Sequence, residues 1–322
     1  KTGTDQISVL VRNKIPPIIL VDDDAGGSYE TYYESALQAL GYEKDLDYLY
    51  WNRDADGLPP QDILVETKVM IWFTGDDYTT TLVQEDRDLI AWYLDSGKAL
   101  FISGQDIGYD IYNDDPTWFQ TYLKATYEAD DTNIDSVTGE TGSIFEGITY
   151  YLSDGDGASN NNYPSDIAPT GGSILALYYG TDPSLGAAIQ YDDAFRLVYF
   201  AFPFEAINTA DDRRDCMQRI LEFLYGGGDT VPPTVNITSP SDGEYLNTSD
   251  VTVTWTGSDN VGIDHYEVRI DGGTWIDVGL STSYTFTGLS EGSHTVDVRA
   301  FDQAGNIGSD SVTFTVDITP PS

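Results

Sequence analysis

Apolar positions along the chain obey two different periodicities, and the change falls close to residue 229. From Pro17 to Gly228, continuous apolar runs alternate with amphipathic stretches. The run IILVDDD at 18–24 ends in carboxylates. In the stretch after it, GGSYETYYESALQALG, a helix places Tyr32, Ala36, Leu37 and Leu40 on one face, with Ser28 as N-cap and Gly41 closing it. VMIWFTGDD at 69–77 is a second buried run. The helix that follows, TLVQEDRDLIAWYLDSG, opens with Thr81 and Gln84 at capping-box spacing and stops at Gly97. ALFISGQD at 99–106 is a third run, and RLVYFAF at 196–202 precedes a last helix. Strands that are apolar on both faces and joined by helices predict an α/β doubly wound parallel sheet, covered on both sides. Residues 125–170 are polar and irregular and predict no helix.

After Asp229 the period becomes two. VNITSP, VTVTWTG, HYEVRID, TWIDVGL, SYTFTGL, HTVDVRAFD and SVTFTVD are short alternating runs separated by Gly, Asp, Ser and Asn turns. This predicts an all-β antiparallel sandwich over 235–317. DTVPPT begins at Asp229 and DITPPS begins 88 residues later at Asp317. The proline pairs Pro232-Pro233 and Pro320-Pro321 favour extended junctions. The expected organisation is therefore the end of an upstream segment (1–16), an α/β domain (17–228), a proline-rich linker (229–234), the sandwich (235–317) and the start of a further linker (318–322), as in a tandem array.

Charge narrows the partners. The chain of 322 residues carries 15 Lys and Arg against 54 Asp and Glu, a formal net charge of −39. The excess is spread along the chain, with 13 basic and 41 acidic residues up to Asp229 and 2 and 13 after it. Nucleic acid and anionic membrane surfaces are thus poor partners, since phosphates would meet a surface of like charge. No apolar run is long enough to cross a membrane. The lone cysteine, Cys216, shares a helical face with Ile220, Phe223 and Leu224 and reads as core; one cysteine makes neither an internal disulfide nor a cysteine metal cluster.

Two resemblances follow from longer matches. PPTVNITSPSDGEYL, GSDNVGIDHYEVRIDGG and GSHTVDVRAFDQAGNIGS resemble the bacterial and archaeal immunoglobulin-like repeats of secreted and cell-surface proteins. IILVDDDAGGSYETYYESALQALGY, VMIWFTGDD, GKALFISGQDIGYDI and RLVYFAFPFEA resemble the class I glutamine amidotransferase-like superfamily, a flavodoxin-like fold, in the divergent form found in large extracellular proteins such as secreted proteases. That resemblance implies a cysteine nucleophile after the third buried strand and a histidine before a proline after a late one. Gly104 and Phe202 occupy these positions here, and the two histidines, His265 and His294, lie in the other domain. Amide chemistry needs the sulfur and its base together, so the expectation is a catalytically inactive copy.

Candidate binding residues gather where a doubly wound sheet presents its strand ends: Asp22, Asp23, Asp24, Asp76, Asp77, Gln105, Asp106 and Glu205. Two facing carboxylates there would suffice for acid/base hydrolysis, which keeps open a hydrolase that uses this rim, metal-assisted or not. Calcium, which takes six to eight oxygens, is the expected cofactor, with candidate ligands Asp154 and Asp156 beside Asn160 in LSDGDGASNN, and Asp259 and Asp302, with Asn260 nearby, in the sandwich. Each also has a plain role, because Asp and Asn satisfy tight turns. Tyr and Trp in YLYWNRD and DPTWFQTYL are candidates for stacking on sugars. The expected function is a non-catalytic spacer, adhesion or substrate-docking region of an extracellular or cell-surface protein, partnered by its own neighbouring domains and by a polysaccharide, protein or cell-surface ligand. A self-assembling surface-layer or fibre subunit is a third reading.

Overall fold

The computed structural model describes residues 15–226, 232–259, 263–302 and 305–319. The chain falls into two compact units divided between Ile220 and Leu221. Expectations that rest on residues 1–14, Asp229, Asn260 and Pro320-Pro321 lie outside the described residues.

The first unit is built on one sheet. In chain order its elements are β1 (Ile18–Asp22), α1 (Glu30–Ala39), β2 (Tyr48–Asn52), the short turns α2 (Arg53–Asp56) and α3 (Gln61–Leu64), β3 (Val69–Phe73), α4 (Gln84–Asp95), β4 (Ala99–Ser103), α5 (Ile107–Asp114) and α6 (Pro116–Trp118). A π-helical turn (Phe119–Leu123) leads to β5 (Ala125–Ala129), β6 (Ser136–Gly139), β7 (Thr149–Tyr151), β8 (Asp166–Pro169), β9 (Ile174–Tyr179), β10 (Gly186–Asp192) and β11 (Arg196–Phe200), and the long helix α7 (Ala210–Leu224) comes last. The strand order is β2-β1-β3-β4-β11-β10-β9-β6-β7. The first five strands are parallel; the remaining four pair antiparallel.

Both faces of the parallel half are covered, which is why β1, β3 and β4 are buried at every position. On one face Ile19, Val21, Met70, Trp72, Leu100 and Ile102 pack with Leu89, Ile90, Tyr93 and Leu94 of α4. On the other, Tyr33 of α1 stacks on Phe73 with ring centroids 4.3 Å apart and meets Phe204 at 4.8 Å. Cys216 is fully buried on α7, and burial pushes its thiol well above the ordinary range. It is core, as its helical face indicates.

Several local expectations need correction. Helix α1 starts at Glu30 rather than after Ser28, because the Asp24 carboxylate accepts from the Tyr29 N–H and carries the turn. The buried tyrosine of α1 is Tyr33; Tyr32 is half-exposed under Arg213. Helix α4 begins at Gln84, so Gln84 cannot be its third residue. Asp86 instead reaches back to the Val83 N–H at 2.9 Å, while Thr81 donates to Asp110 at 3.0 Å. The irregular middle region holds no helix past Leu123 but contributes β6 and β7, which extend the sheet. Their three- and four-residue lengths left no period to read.

The second unit is a sandwich of two sheets. Its strands are β12 (Thr234–Ser239), β13 (Tyr245–Leu246), β14 (Val251–Ser258), β15 (Ile263–Ile270), β16 (Ile276–Gly279), β17 (Ser283–Phe286), β18 (Gly292–Asp302) and β19 (Ile307–Val316). They form β12-β14-β17 and β13-β19-β18-β15-β16. All seven alternating runs are strands. Their inward residues, Val251, Val253, Trp255, Tyr266, Val268, Val296, Val298 and Phe314 among them, make the core. Outward positions carry hydroxyl pairs across strands: Thr238 with Thr254 at 2.9 Å, Thr252 with Thr285 at 2.9 Å and Thr295 with Thr313 at 3.2 Å. The two arginines, Arg269 and Arg299, pair with Asp297 and Glu267 and lie over the Trp275 ring at 4.2 and 4.4 Å.

Candidate functional site

Because β1, β3, β4 and β11 run parallel, their C-terminal ends share one edge, the place where such sheets collect ligand-contacting loops. All four loops are locked together by small residues and side-chain hydrogen bonds. Gly75, at φ +52°, lies so close to the first loop that a Cβ there would be 2.7 Å from the Asp24 Cβ. A Cβ on Gly104 would sit 2.0 Å from the Thr74 hydroxyl and 2.9 Å from Ile107. The turn after β4 therefore has no room for a side chain at 104. Ser103, beside it, is 1% exposed; its hydroxyl donates to the Phe202 carbonyl at 3.0 Å and accepts from the Phe204 N–H at 2.8 Å. It is a structural clip between β4 and the loop after β11.

The carboxylates are mostly committed. Asp23 accepts from the Trp72 indole at 3.1 Å; burial foremost, then Asp86, raises it to about 8. Asp24 takes the Gly26 and Tyr29 N–H groups at 3.0 and 3.3 Å. Asp76 accepts from the Tyr29 hydroxyl. Asp77 binds the Thr79 and Thr80 N–H groups at 3.1 and 3.2 Å and the Thr80 hydroxyl at 2.8 Å. Gln105 receives Asn162 and Tyr163 N–H groups at 2.8 and 2.9 Å. Glu205 is completely buried, with the Tyr33 hydroxyl on one oxygen and the Asn160 amide on the other, both at 2.8 Å; burial foremost lifts it to about 7. Asp106 is 4% exposed and is held at about 7 by burial and then by Asp130, Asp110, Asp77 and Asp76. Its Oδ2 has no hydrogen-bond partner among the described residues.

The proposed calcium ligands take other positions. Asp154 is exposed at φ +62°, and Asp156 pairs with Arg213 at 3.0 Å. Asn160 turns away from both to serve Glu205. Asp302, buried, accepts from the Asn306 backbone and side chain at 2.8 and 2.6 Å; Asp259 follows the end of β14, half-buried. Among the described residues, the three-carboxylate group brought together within 4.8 Å is Asp22, Asp24 and Glu30, and it includes none of Asp154, Asp156, Asp259 or Asp302. Two residues of this edge were not singled out from sequence. Glu30 reads as an ordinary acidic first-turn residue, and Tyr33 reads one step around the helix from the inward face. Exposed tyrosines also sit in the rim loops: Tyr78 after β3, Tyr109 at the start of α5 and Tyr163, whose N–H holds Gln105.

Comparison with known proteins finds a family match, and it lies on the sandwich. Residues 233–298 match the family described as a bacterial Ig domain. Halomucin of Haloquadratum walsbyi is 38% identical over 97 residues, covering 29% of this chain and 1% of that protein. Exoglucanase B of Cellulomonas fimi is 34% identical over 110 residues, covering 31% of this chain and 10% of that protein. Chitinase A1 of Niallia circulans is 36% identical over 146 residues, covering 41% of this chain and 21% of that protein. The matched part of the chain thus spans between 1% and 21% of the length of these relatives. An immunoglobulin-like sandwich within a chain related to parts of larger proteins is what the fold and the comparisons share. No helix of the described residues is long and apolar enough to cross a membrane.

Proposed function

We propose that this chain is a non-catalytic binding and spacing region of an extracellular multidomain protein, and that its α/β unit is a flavodoxin-like, amidotransferase-related scaffold presenting its rim to polysaccharide. The turn at Gly104 carries the reading. On that scaffold the nucleophile stands there, yet an added Cβ would collide with Thr74 at 2.0 Å. Phe202, fully buried, fills the position of the base. Except for Asp106, the rim carboxylates are held by the protein's own donors, which is the arrangement of a rigid edge rather than of two free acids flanking a bond.

Such an edge can still bind. Tyr78, Tyr109 and Tyr163 are 65%, 49% and 53% exposed beside fixed carboxylates. Flat amphipathic rings next to acceptors suit sugar faces and hydroxyls. Relatives named as an exoglucanase and a chitinase support a polysaccharide as the ligand class, and the acidic surface supports the absence of nucleic acid and membrane partners. The test is depletion of the purified chain by insoluble cellulose and chitin. Tyr78→Ala, Tyr109→Ala and Tyr163→Ala together should reduce retention at least tenfold without loss of fold. Retention equal to that of the parent chain, or release of ammonia from glutamine, would refute the proposal.

A further inference from the structure

Beside the rim just described, on the side of β1 that faces β2, lies a second feature that shares Asp24 with it and whose other members the binding reading does not use. Asp22 ends β1 and is 2% exposed. Its Oδ2 accepts from the Tyr50 hydroxyl at 2.5 Å and the Asn52 amide at 3.3 Å. Its Oδ1 is buried and has no hydrogen-bond partner among the described residues. A buried acceptor left without a donor carries an unrecovered desolvation penalty. One oxygen each of Asp22, Asp24 and Glu30 lies within 4.8 Å of the others. Lys44, which lies over the Tyr50 ring at 4.3 Å, is engaged by Glu34 at 2.6 Å.

We propose that Asp22, Asp24 and Glu30 form a calcium site at the C-terminal end of β1, with the unpartnered Asp22 Oδ1 as its buried ligand. Calcium–oxygen distances of about 2.3–2.6 Å put ligands on opposite sides of the ion about 5 Å apart, so three oxygens within 4.8 Å of one another can share one ion. Magnesium, at about 2.0–2.1 Å, draws its ligands to within about 4.2 Å and holds its waters more tightly. A cation here would complete the coordination of the orphaned oxygen and offset the mutual repulsion of three carboxylates held within 4.8 Å of one another. Asp24 keeps lone pairs beyond its two backbone hydrogen bonds. The site would tie the start of α1 to the ends of β1 and β2.

Terbium(III) serves as the probe, because tyrosine excitation sensitises it and Tyr50 hydrogen-bonds the proposed ligand. The intact chain should give tyrosine-excited terbium emission that calcium displaces at least tenfold more effectively than magnesium. Calcium titration by calorimetry should show a matching event. The Glu30 side chain is half-buried and has no hydrogen bond or ion pair among the described residues, so Glu30→Gln should weaken terbium and calcium binding at least tenfold while circular dichroism stays unchanged; Asp22→Asn should do the same. No emission and no heat up to millimolar calcium would overturn the proposal. So would undiminished binding in both variants, or magnesium displacing terbium as well as calcium does.

Discussion

Replacing Glu205 by Gln tests how this fold tolerates a carboxyl with no access to water. The side chain is fully buried, and burial outweighs the Asn160 and Tyr33 hydrogen bonds in moving it from 4.5 to about 7. The folded state therefore holds a proton that the unfolded chain releases at lower pH. The associated stability is fully present below pH 4.5 and is lost as pH rises through about 7. At about 1.4 kcal/mol per decade, the loss amounts to about 3 kcal/mol. Gln keeps the shape and stays neutral at every pH. Its oxygen can accept from Tyr33, and half a turn of the Asn160 amide brings that residue's Oδ1, otherwise unpartnered among the described residues, onto the new NH₂. Glu205→Gln should match the parent chain near pH 4 and exceed it by about 3 kcal/mol near pH 8, or about 6–12 °C in the midpoint of a unit this size. Urea unfolding at a series of pH values, followed by tryptophan fluorescence and far-ultraviolet circular dichroism, measures it. Asp22, Asp23 and Asp106 add slopes of the same sign, but they cancel in the difference between the two chains. Parallel curves would refute the reasoning. A Gln variant less stable at pH 8 would mean that Tyr33 and Asn160 hold a charged carboxylate after all.

Two further outcomes follow from individual contacts. Gly104→Ala should destabilise the α/β unit by about 1–3 kcal/mol through overpacking, and Thr74→Ala, which removes the colliding hydroxyl, should recover part of that in the double variant; chemical denaturation of all four chains measures the coupling. In the sandwich, the His294 ring nitrogens face the Ser290 carbonyl at 2.9 Å and Asp271 at 2.7 Å, so both are best used as donors; these two contacts, in that order, raise the imidazole above 6.5. That stability is complete below pH 6.5 and fades as pH rises beyond it, so His294→Gln should flatten the sandwich's thermal midpoint across this window, and an unchanged pH profile would count against a charged ring.

What the sequence disclosed tracks how each residue earns its place. Val69–Phe73 and Ala99–Ser103 are buried at every position, so continuous apolar runs declared them, and the seven sandwich strands declared themselves by alternation. Strands β6 and β7 stayed hidden because three or four residues at a sheet edge carry no period. At the rim, residue type placed Asp23, Asp24, Asp76, Asp77, Gln105 and Glu205 on one edge, since parallel strands bring their ends together whatever the loops contain. Pairing was not legible. That Tyr33 from the first helix and Asn160 from an irregular loop meet on Glu205 depends on contacts 172 and 45 residues apart along the chain. The acidic background hid Glu30 in the same way: with 54 carboxylates in the chain, three converging ones look like any others until distances are known.

The threonine pairs across the sandwich strands have a consequence for where such a module can work. Neighbouring strands are stitched on their wet faces largely by neutral hydroxyls, and the Arg269–Asp297 and Arg299–Glu267 contacts are shielded beneath the Trp275 ring. Added electrolyte has few exposed ion pairs to weaken, while it mutes the mutual repulsion of thirteen acidic side chains facing only two basic ones. Brine should therefore tighten this unit rather than loosen it, and dilution should be the harsher treatment.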